Sequence, residues 1–247
     1  MNAVAQLTFA GLGEAALREL PKYSNELQEA CAEHPPHYGK AWYGEKYRSV
    51  AVDPFWMANS LIANAEKEGT GAEGLWTLAA RTADADIAEQ VRQHAIDEAR
   101  HSKLYIKMLS IALPDAVSVD LLAELDKLSP GYKQNDFPPK LPKKKPEAVL
   151  DELIQMNIGE IRTRINQLLL RPVLTQHCPA EKLRQLERIL DSLILDETMH
   201  ITYTAKLIEK AINAGHGEFV KLTMRRRLAE FNDITLEEVG EAKFEGA

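Results

Sequence analysis

The sequence predicts an all-α fold: a four-helix bundle with one long crossover and additional helices at both termini. Three observations lead to this prediction. Hydrophobic residues make up 45% of the 247 residues and charged residues 27%, while runs typical of strands are scarce. Long segments carry apolar residues every three or four positions, as amphipathic helices do. A segment rich in proline and lysine separates these segments into two pairs.

The first helix of the bundle is predicted to begin at Asp53. An aspartate accepts hydrogen bonds from the free N–H groups of the first turn, and Pro54 occupies the first helical position, where proline is tolerated. The apolar pattern runs to about Thr82. Residues 1–52 precede this helix and are expected to form a helical extension.

The second helix is predicted to begin at Asp84 or Asp86, since either residue can act as its N-cap. Pro114 ends its apolar stripe. A short helical stretch is expected near Asp120 to Leu128. Because the connection between the first two helices is short, they should form an antiparallel hairpin.

The segment from Pro130 to Pro146 is predicted to be the long crossover, because its prolines and polar residues cannot hold a regular element. Pro146 should open the third helix and Pro172 should close it. The fourth helix is expected to begin at Pro179 and to end at Gly215. The third and fourth helices form the second predicted hairpin.

The domain prediction is one compact domain with the bundle at 53–215 and a C-terminal tail at 216–247. Thr235 and Glu238 have the spacing of a capping box, in which two side chains satisfy free N–H groups at a helix start. The tail is therefore predicted to be helical, with a helix beginning near Thr235.

Charge and cysteine content exclude several classes of function. The net charge is −7, and the basic clusters 143–145 and 225–227 are short, which argues against nucleic acid as a partner. A solvated charged face is the favoured interpretation of both clusters, and a phosphate-binding role is the alternative. Cys31 and Cys178 form no CxxC pair, so neither a disulfide framework nor a thiolate zinc site is expected.

The expected location is the cytoplasm. The N-terminal stretch has no basic region ahead of an apolar run, and no apolar segment approaches the roughly 20 residues that span a bilayer. No membrane partner is therefore expected.

One short motif occurs in both predicted hairpins. Residues 96–101 and 195–200 share the pattern apolar-Asp-Glu-x-x-His. Residues three apart on a helix project from one face about one turn apart, so a single metal ion can contact the Glu and the His. For one such motif a surface pair or an ordinary core histidine would be the better explanation. Two copies on apolar stripes favour a metal site, because buried charged groups need partners.

A two-metal carboxylate bundle needs one further acid from each of the remaining helices. In the third helix the candidate is Glu160, which lies level with the second motif. The first helix offers Glu66, Glu68 and Glu73. Glu68 is preferred because it continues the apolar stripe, whereas the other two fall on a flank; the choice among the three remains open.

These features resemble the ferritin-like di-iron carboxylate superfamily, over roughly Asp53 to Gly215. This superfamily includes bacterioferritin, rubrerythrin, the bacterial multicomponent monooxygenases and the small subunit of class I ribonucleotide reductase. The stretch 95–105, AIDEARHSKLY, is similar both to the second helix of bacterioferritin and to the reductase segment that bears the radical tyrosine. The resemblance implies a ferritin-like bundle around two metal ions.

The resemblance also implies a ligand set in which Glu98 and Glu197 bridge the ions. The implied ligands are Glu68, Glu98, His101, Glu160, Glu197 and His200. Asp97 and Asp196 would each accept the free imidazole N–H of a histidine on the opposite helix, or would be exposed acids.

Two further residues near the first motif have alternative interpretations. Tyr105 lies one turn after the motif histidine, where a packed tyrosine is a better explanation than a redox role. His94 is either a seventh ligand, as in some N-oxygenating members of the superfamily, or a partly buried bystander.

The predicted function is an O2-activating non-heme di-iron oxidase or oxygenase acting on a small organic molecule. Carboxylates and imidazoles suit two Fe(II) ions, with Mn(II) or a mixed pair left open. The terminal extensions and the crossover favour this function, because they could build and cover a pocket. The glycines at 69, 71 and 74 favour it as well, because they remove side-chain volume beside the proposed metals; a local helix distortion or close helix packing is the alternative explanation.

Several points stay open at this stage. Electrons would come from an external donor or from the substrate, and a homodimer is not excluded. The alternative functions are a ferroxidase or peroxide-reducing iron protein, and a helical interaction module with a relict site.

Overall fold

The computed structural model describes residues 1–240, and within this part the chain is helical and contains no strand. The all-α prediction is confirmed for these residues. The end of the predicted tail, residues 241–247, lies outside them. Among the helices of residues 1–240, none is both long and apolar enough to cross a membrane.

The main helices follow one another through most of the described chain. In order they are α1 (Ala3–Glu19), α2 (Pro21–Glu33), α3 (Ala41–Ala51), α4 (Pro54–Arg81), α5 (Ala85–Ala112), α6 (Val119–Leu125), α7 (Pro146–His177), α8 (Leu183–Ala211) and α9 (Gly217–Gly240). Two compact units are formed. Unit 1 comprises Met1–Val50, Leu150–Leu170 and the chain from Ile194, and unit 2 comprises Ala51–Val149 and Arg171–Leu193.

In unit 2, α4 and α5 form the first predicted hairpin. The Asp53 carboxylate accepts the N–H of Phe55 at 2.9 Å and so caps α4. Of the two candidates for the start of α5, Asp84 is the cap, because its carboxylate accepts the N–H groups of Asp86 and Ile87 at 3.0 and 3.1 Å. The predicted positions of both helices are confirmed.

The segment predicted to be the crossover contains no regular element over residues 129–145, as its composition predicts. Several contacts hold this segment against the α4–α5 hairpin of unit 2. The Ser129 hydroxyl donates to the Ala99 carbonyl of α5 at 2.5 Å. Tyr132 stacks on Trp76 of α4, with ring centroids 4.1 Å apart. The Lys143 ammonium donates to two carbonyls at the end of α4, each at 2.9 Å, where a positive charge is favourable.

The helices α7 and α8 form the second predicted hairpin. In unit 1 the Asn157 side chain of α7 donates to the Ile201 carbonyl of α8 at 3.2 Å. In unit 2 the Arg171 guanidinium donates to Asp191 at 2.6 Å. Residue numbers rise along α7 while those of their partners fall along α8, so the two helices are antiparallel.

The prediction that Pro172 ends the third helix is wrong, because α7 continues to His177. A proline inside a helix removes one hydrogen bond, here that to the Leu168 carbonyl, and its ring crowds that carbonyl. Leu168 is exposed, so water can solvate its carbonyl. The Thr175 hydroxyl donates to the carbonyls of Arg171 and Pro172 at 3.0 and 3.1 Å, which satisfies two acceptors of the last turns.

The chain passes from α8 to α9 through one π-helical turn, Ile212–His216. Gly215 lies in this turn with φ of 100°, a conformation that favours glycine. The helical tail is confirmed as far as the described chain goes, but the capping box is not. Thr235 lies inside α9, where it is fully buried and its hydroxyl donates to the Phe231 carbonyl at 2.7 Å. Since α9 begins earlier, at Gly217, no free N–H group is left for Thr235 to cap.

The N-terminal helices belong to the core of unit 1. The fully buried Tyr23 of α2 donates its hydroxyl to Asn157 Oδ1 at 2.8 Å, and its backbone N–H donates to the Glu209 carboxylate at 2.7 Å. Asn157 in turn donates to the Thr204 hydroxyl of α8 at 2.9 Å, and Thr204 donates to the His200 carbonyl at 2.7 Å. Residues far apart in sequence are thus joined by buried hydrogen bonds.

The basic cluster 225–227 is also part of unit 1. Arg225 forms ion pairs with acids of α2, the shortest to Glu33 at 2.6 Å. Arg226 and Arg227 both contact Asp151 of α7, at 2.7 and 2.8 Å. These arginines therefore connect helices of the same unit.

Candidate metal centre

The first motif supplies a group of ligands in unit 2, which we call the α5 half-site: Glu68, Glu98 and His101. Glu98 and His101 lie one turn apart on α5 and are 4% and 0% exposed. The Nδ1 atom of His101 lies 3.4 Å from Oε1 of Glu98. One ligand atom from each residue of the half-site lies within 4.8 Å of the others, so this group could hold a metal ion.

These separations fit a shared ion better than direct hydrogen bonds. Hydrogen bonds between N and O atoms cluster at about 2.9 to 3.0 Å. Two atoms that each lie about 2.1 Å from one ion are separated by roughly 3 to 4 Å, depending on the angle between the two bonds. The contact between His101 and Glu98 falls within the second range.

The helix α4 carries three acids near this level, and they differ in burial. Glu68 is half-buried and lies in the α5 half-site, whereas Glu66 and Glu73 are exposed. Successive residues of a helix are rotated by about 100°, so a residue two positions away points to a different side. Helix geometry thus separates Glu68 from the other two acids.

Glu98 is surrounded by polar groups in the core of unit 2. Burial raises the pKa of Glu98, but the charge of His101 and the polar contacts with Glu68, His101 and His94 outweigh burial and hold the pKa well below its ordinary value. His94 is 1% exposed, and its Nε2 lies 3.1 Å from Oε1 of Glu98. His94 is therefore a buried direct neighbour of Glu98.

The second motif supplies an equivalent group in unit 1, which we call the α8 half-site: Glu160, Glu197 and His200. Glu197 is 0% exposed and His200 3%. His200 Nδ1 lies 3.7 Å from Oε2 of Glu197 and 4.0 Å from Oε2 of Glu160 on α7. The same imidazole nitrogen thus faces the glutamate one turn earlier in both half-sites.

Gln167 is a polar neighbour of the α8 half-site that sequence reasoning missed. Its Nε2 donates to Oε1 of Glu197 at 2.9 Å, and the residue is 1% exposed. A signal existed, because Gln167 follows Glu160 by seven residues and so shares its face of α7. A polar residue two turns along the face that bears a proposed ligand is a candidate to contact the same site.

Three other predicted site residues, Asp97, Asp196 and Tyr105, differ in their burial. Asp97 is half-buried and accepts a hydrogen bond from Arg100 of its own helix at 3.0 Å. Asp196 is 7% exposed, so it is not an exposed acid, and Tyr105 is 3% exposed. Tyr105 is thus a buried tyrosine of α5.

Close packing explains one of the three glycines of α4. A Cβ atom on Gly69 would collide with the carbonyl oxygen of Leu128, so this glycine allows the end of the short helical stretch to pack against α4. Gly71 and Gly74 are exposed and have open space around them. Close packing therefore does not explain these two glycines.

In comparisons with known proteins, no family model, no curated protein and no solved structure matches this chain. The resemblance to the ferritin-like superfamily accordingly rests on the two motifs and the acids beside them. Their donor atoms are carboxylate oxygens and imidazole nitrogens, which Fe(II) and Mn(II) accept.

Proposed function

We propose that this protein is an O2-activating non-heme di-iron oxidase or oxygenase that acts on a small organic molecule. The observation that carries the proposal is the repeat of one ligand geometry. In each half-site the histidine Nδ1 faces a buried glutamate one turn earlier, at 3.4 Å in the α5 half-site and 3.7 Å in the α8 half-site. A second glutamate from the preceding helix accompanies each pair.

Burial makes a metal ion the physically reasonable partner of these groups. A carboxylate in an apolar environment is strongly unfavourable unless a positive charge or hydrogen bonds compensate it. Glu98 and Glu197 are 4% and 0% exposed. A divalent ion provides a positive charge for both glutamates and uses the neutral imidazole of the same motif as a further ligand.

Charge balance favours two ions. The proposed ligands include four glutamates and two histidines, and two divalent ions carry the charge that neutralises four carboxylates. One ion would leave two negative charges in the interior. We therefore propose that the chain binds two metal ions, one at each half-site, with iron as the metal, by analogy with the ferritin-like di-iron proteins.

When bound, two ferrous ions with open coordination positions supply the electrons that reduce O2. The residues of the chain hold the ions in place, and the burial of both motifs excludes water from them. Carboxylates and imidazoles must be deprotonated to bind a metal ion, so metal binding should release the protons that the ligands hold and acidify an unbuffered solution.

An oxygenase is favoured over a ferroxidase by the helices outside the two hairpins. Storage of iron needs little more than a bundle, whereas α1 to α3 and α9 add to unit 1. These helices supply the surface with which an organic substrate could be enclosed. Electrons would come from an external donor or from the substrate itself.

Metal analysis is the direct test of this proposal. The purified protein, reconstituted anaerobically with excess Fe(II) and desalted, should retain two iron ions per chain. One ion per chain, or zinc in preference to iron, would contradict the di-iron proposal. Ordinary folding with no retained metal would favour an interaction module with a relict site.

Iron turnover separates the oxygenase from the runner-up. After loading with two Fe(II) ions per chain, O2 should give one round of oxidation, and further Fe(II) should be oxidised little faster than without protein. Continued rapid oxidation of many Fe(II) ions per chain would favour a ferroxidase. The substrate can be sought by adding small metabolites to the reduced protein and measuring which of them accelerate O2 consumption.

A further inference from the structure

Gln167, a buried glutamine beside the α8 half-site, indicates that the two motif glutamates, Glu98 and Glu197, have different hydrogen-bond partners. Gln167 lies on α7, is 1% exposed, and contacts Glu197 rather than a backbone group. Burying an amide is unfavourable unless its donors and acceptor find partners. The position of Gln167 therefore needs a specific explanation.

The contact fixes the orientation of the amide. Glu197 is 0% exposed, and the amide nitrogen of Gln167 donates to its Oε1 atom at 2.9 Å. A carboxylate can only accept hydrogen bonds, so the N–H side of the amide must face it. The Gln167 carbonyl oxygen is then turned away, and it is buried without a hydrogen-bond partner among the described residues.

A glutamine that served the packing of unit 1 alone would have both ends of its amide satisfied, as Asn157 does. Asn157 accepts from Tyr23 and donates to the Ile201 carbonyl and to Thr204. Gln167 instead directs its N–H group to one oxygen of a proposed ligand. This difference indicates that Gln167 is kept for the orientation of Glu197.

We propose that Gln167 is a positioning residue that holds Oε1 of Glu197 in a hydrogen bond, so that Glu197 binds metal through Oε2 alone. Oε2 is the oxygen that faces His200, at 3.7 Å from Nδ1. Glu197 would then be a terminal ligand of the ion next to His200. This assignment rests on the proposed two-metal function and departs from a bridging role for Glu197.

The alternative bridging or chelating modes need Oε1. When the amide occupies that oxygen, coordination through both oxygens is disfavoured, and the ion at the α8 half-site has one protein donor atom fewer. Removal of the amide frees Oε1, so the coordination number of this ion should rise. Hydrogen-bonded partners of metal ligands change metal affinity by about 10- to 100-fold when they are removed, which sets the expected scale.

Cobalt(II) is a suitable probe, because its visible absorption is several-fold stronger at low coordination number than in octahedral sites. Gln167→Met keeps the length of the side chain and removes the N–H donor. Gln167→Leu likewise lacks the donor and keeps an apolar side chain of similar volume. Gln155→Met is the matched control, because Gln155 is exposed on the same helix.

The experiment loads each protein anaerobically with Co(II) and records metal content, the visible spectrum and the dissociation constant. Both Gln167 variants should retain two ions at saturating Co(II), with lower visible absorption per chain and a dissociation constant of one ion changed by roughly tenfold. The control should match the wild-type protein. Circular dichroism in the absence of metal checks folding, and the leucine variant stands in if the methionine variant does not fold.

Two negative outcomes are distinguishable. A wild-type protein with two ions, and Gln167 variants with the same spectrum and affinity, would overturn the role of Gln167 while leaving the di-iron function in place. A wild-type protein that binds neither Co(II) nor Fe(II) would overturn the proposed function and this assignment with it.

Discussion

The α5 and α8 half-sites contain the same types of residue, two glutamates and one histidine. They differ in the additional polar side chain that contacts the motif glutamate. Glu98 has His94 one turn earlier on its own helix, at 3.1 Å, whereas the equivalent position on α8 is the fully buried Leu193. Glu197 instead has Gln167 from the neighbouring helix, at 2.9 Å. The motif therefore supplies the same glutamate and histidine to each half-site, while the additional polar partner of the glutamate can come from either helix of a hairpin.

The first prediction tests whether the two half-sites are equivalent in their ligands. His101→Ala and His200→Ala should each reduce iron content from two ions to about one per chain, because each removes the nitrogen ligand of one ion. His216→Ala is the control, since His216 is exposed. Full metal content in both variants would show that the motifs are not ligands.

The second prediction concerns the carboxylate that the preceding helix adds to each half-site. Glu68→Ala and Glu160→Ala should each weaken the binding of one ion by at least about tenfold, as measured by competition with a chelator. Glu66→Ala and Glu73→Ala should leave affinity unchanged, because both residues are exposed. A larger effect at either exposed acid would mean that α4 presents a different face to the metal.

The third prediction removes the difference between the half-sites. His94→Leu gives α5 the residue type that α8 carries at the equivalent position. If His94 only supports Glu98, the variant should keep two ions at saturating metal and bind one of them about tenfold more weakly. Loss of that ion even at saturating metal would identify His94 as a ligand and would make the half-sites unequal in their ligands as well.

The smallest expected effect concerns the glycine beside each added carboxylate. Gly69→Ala should lower the free energy of unfolding by about 1 to 3 kcal/mol, because the new methyl group collides with the Leu128 carbonyl. In Gly159→Ala the methyl group would lie 3.5 Å from the Phe231 ring, an ordinary contact.

Urea denaturation measures both variants. We expect Gly159→Ala to change stability by no more than about 1 kcal/mol, towards greater stability, because alanine favours the helix. Gly71→Ala, in open space on the same helix as Gly69, is the matched control. Equal midpoints for the variants at Gly69 and Gly71 would show that Leu128 can move away without loss of stability.

Helix starts were predictable because local chemistry determines them. Asp53 and Asp84 cap α4 and α5 as expected, since a cap needs only its own first turn. The errors at Pro172 and Thr235 have the opposite origin. Taken alone, Pro172 suits a helix end and Thr235 suits a helix start. In the folded chain tertiary packing continues each helix through the residue.

The candidate site shows the same division between local and distant information. The motif residues and Glu68 follow from periodicity, because side chains three, four or seven apart on a helix share a face. Gln167 and Leu128 contact residues of other segments, about 30 and 59 positions away in the chain. Periodicity places Gln167 on the Glu160 face of α7, but it does not specify the partner of Gln167 or of Leu128, so these contacts had to come from the three-dimensional arrangement.

The hydrogen bonds of Tyr23 have a consequence for any attempt to shorten the protein. A chain that began at Asp53 would retain both motifs but would lose the donors that satisfy Asn157 and Glu209. Each buried acceptor left without its donor costs about 1 to 3 kcal/mol, a substantial part of the stability of a small domain. The helices that carry the two motifs therefore depend on α2, and when they are expressed without residues 1–52 they should be recovered as aggregates or as loosely packed chains.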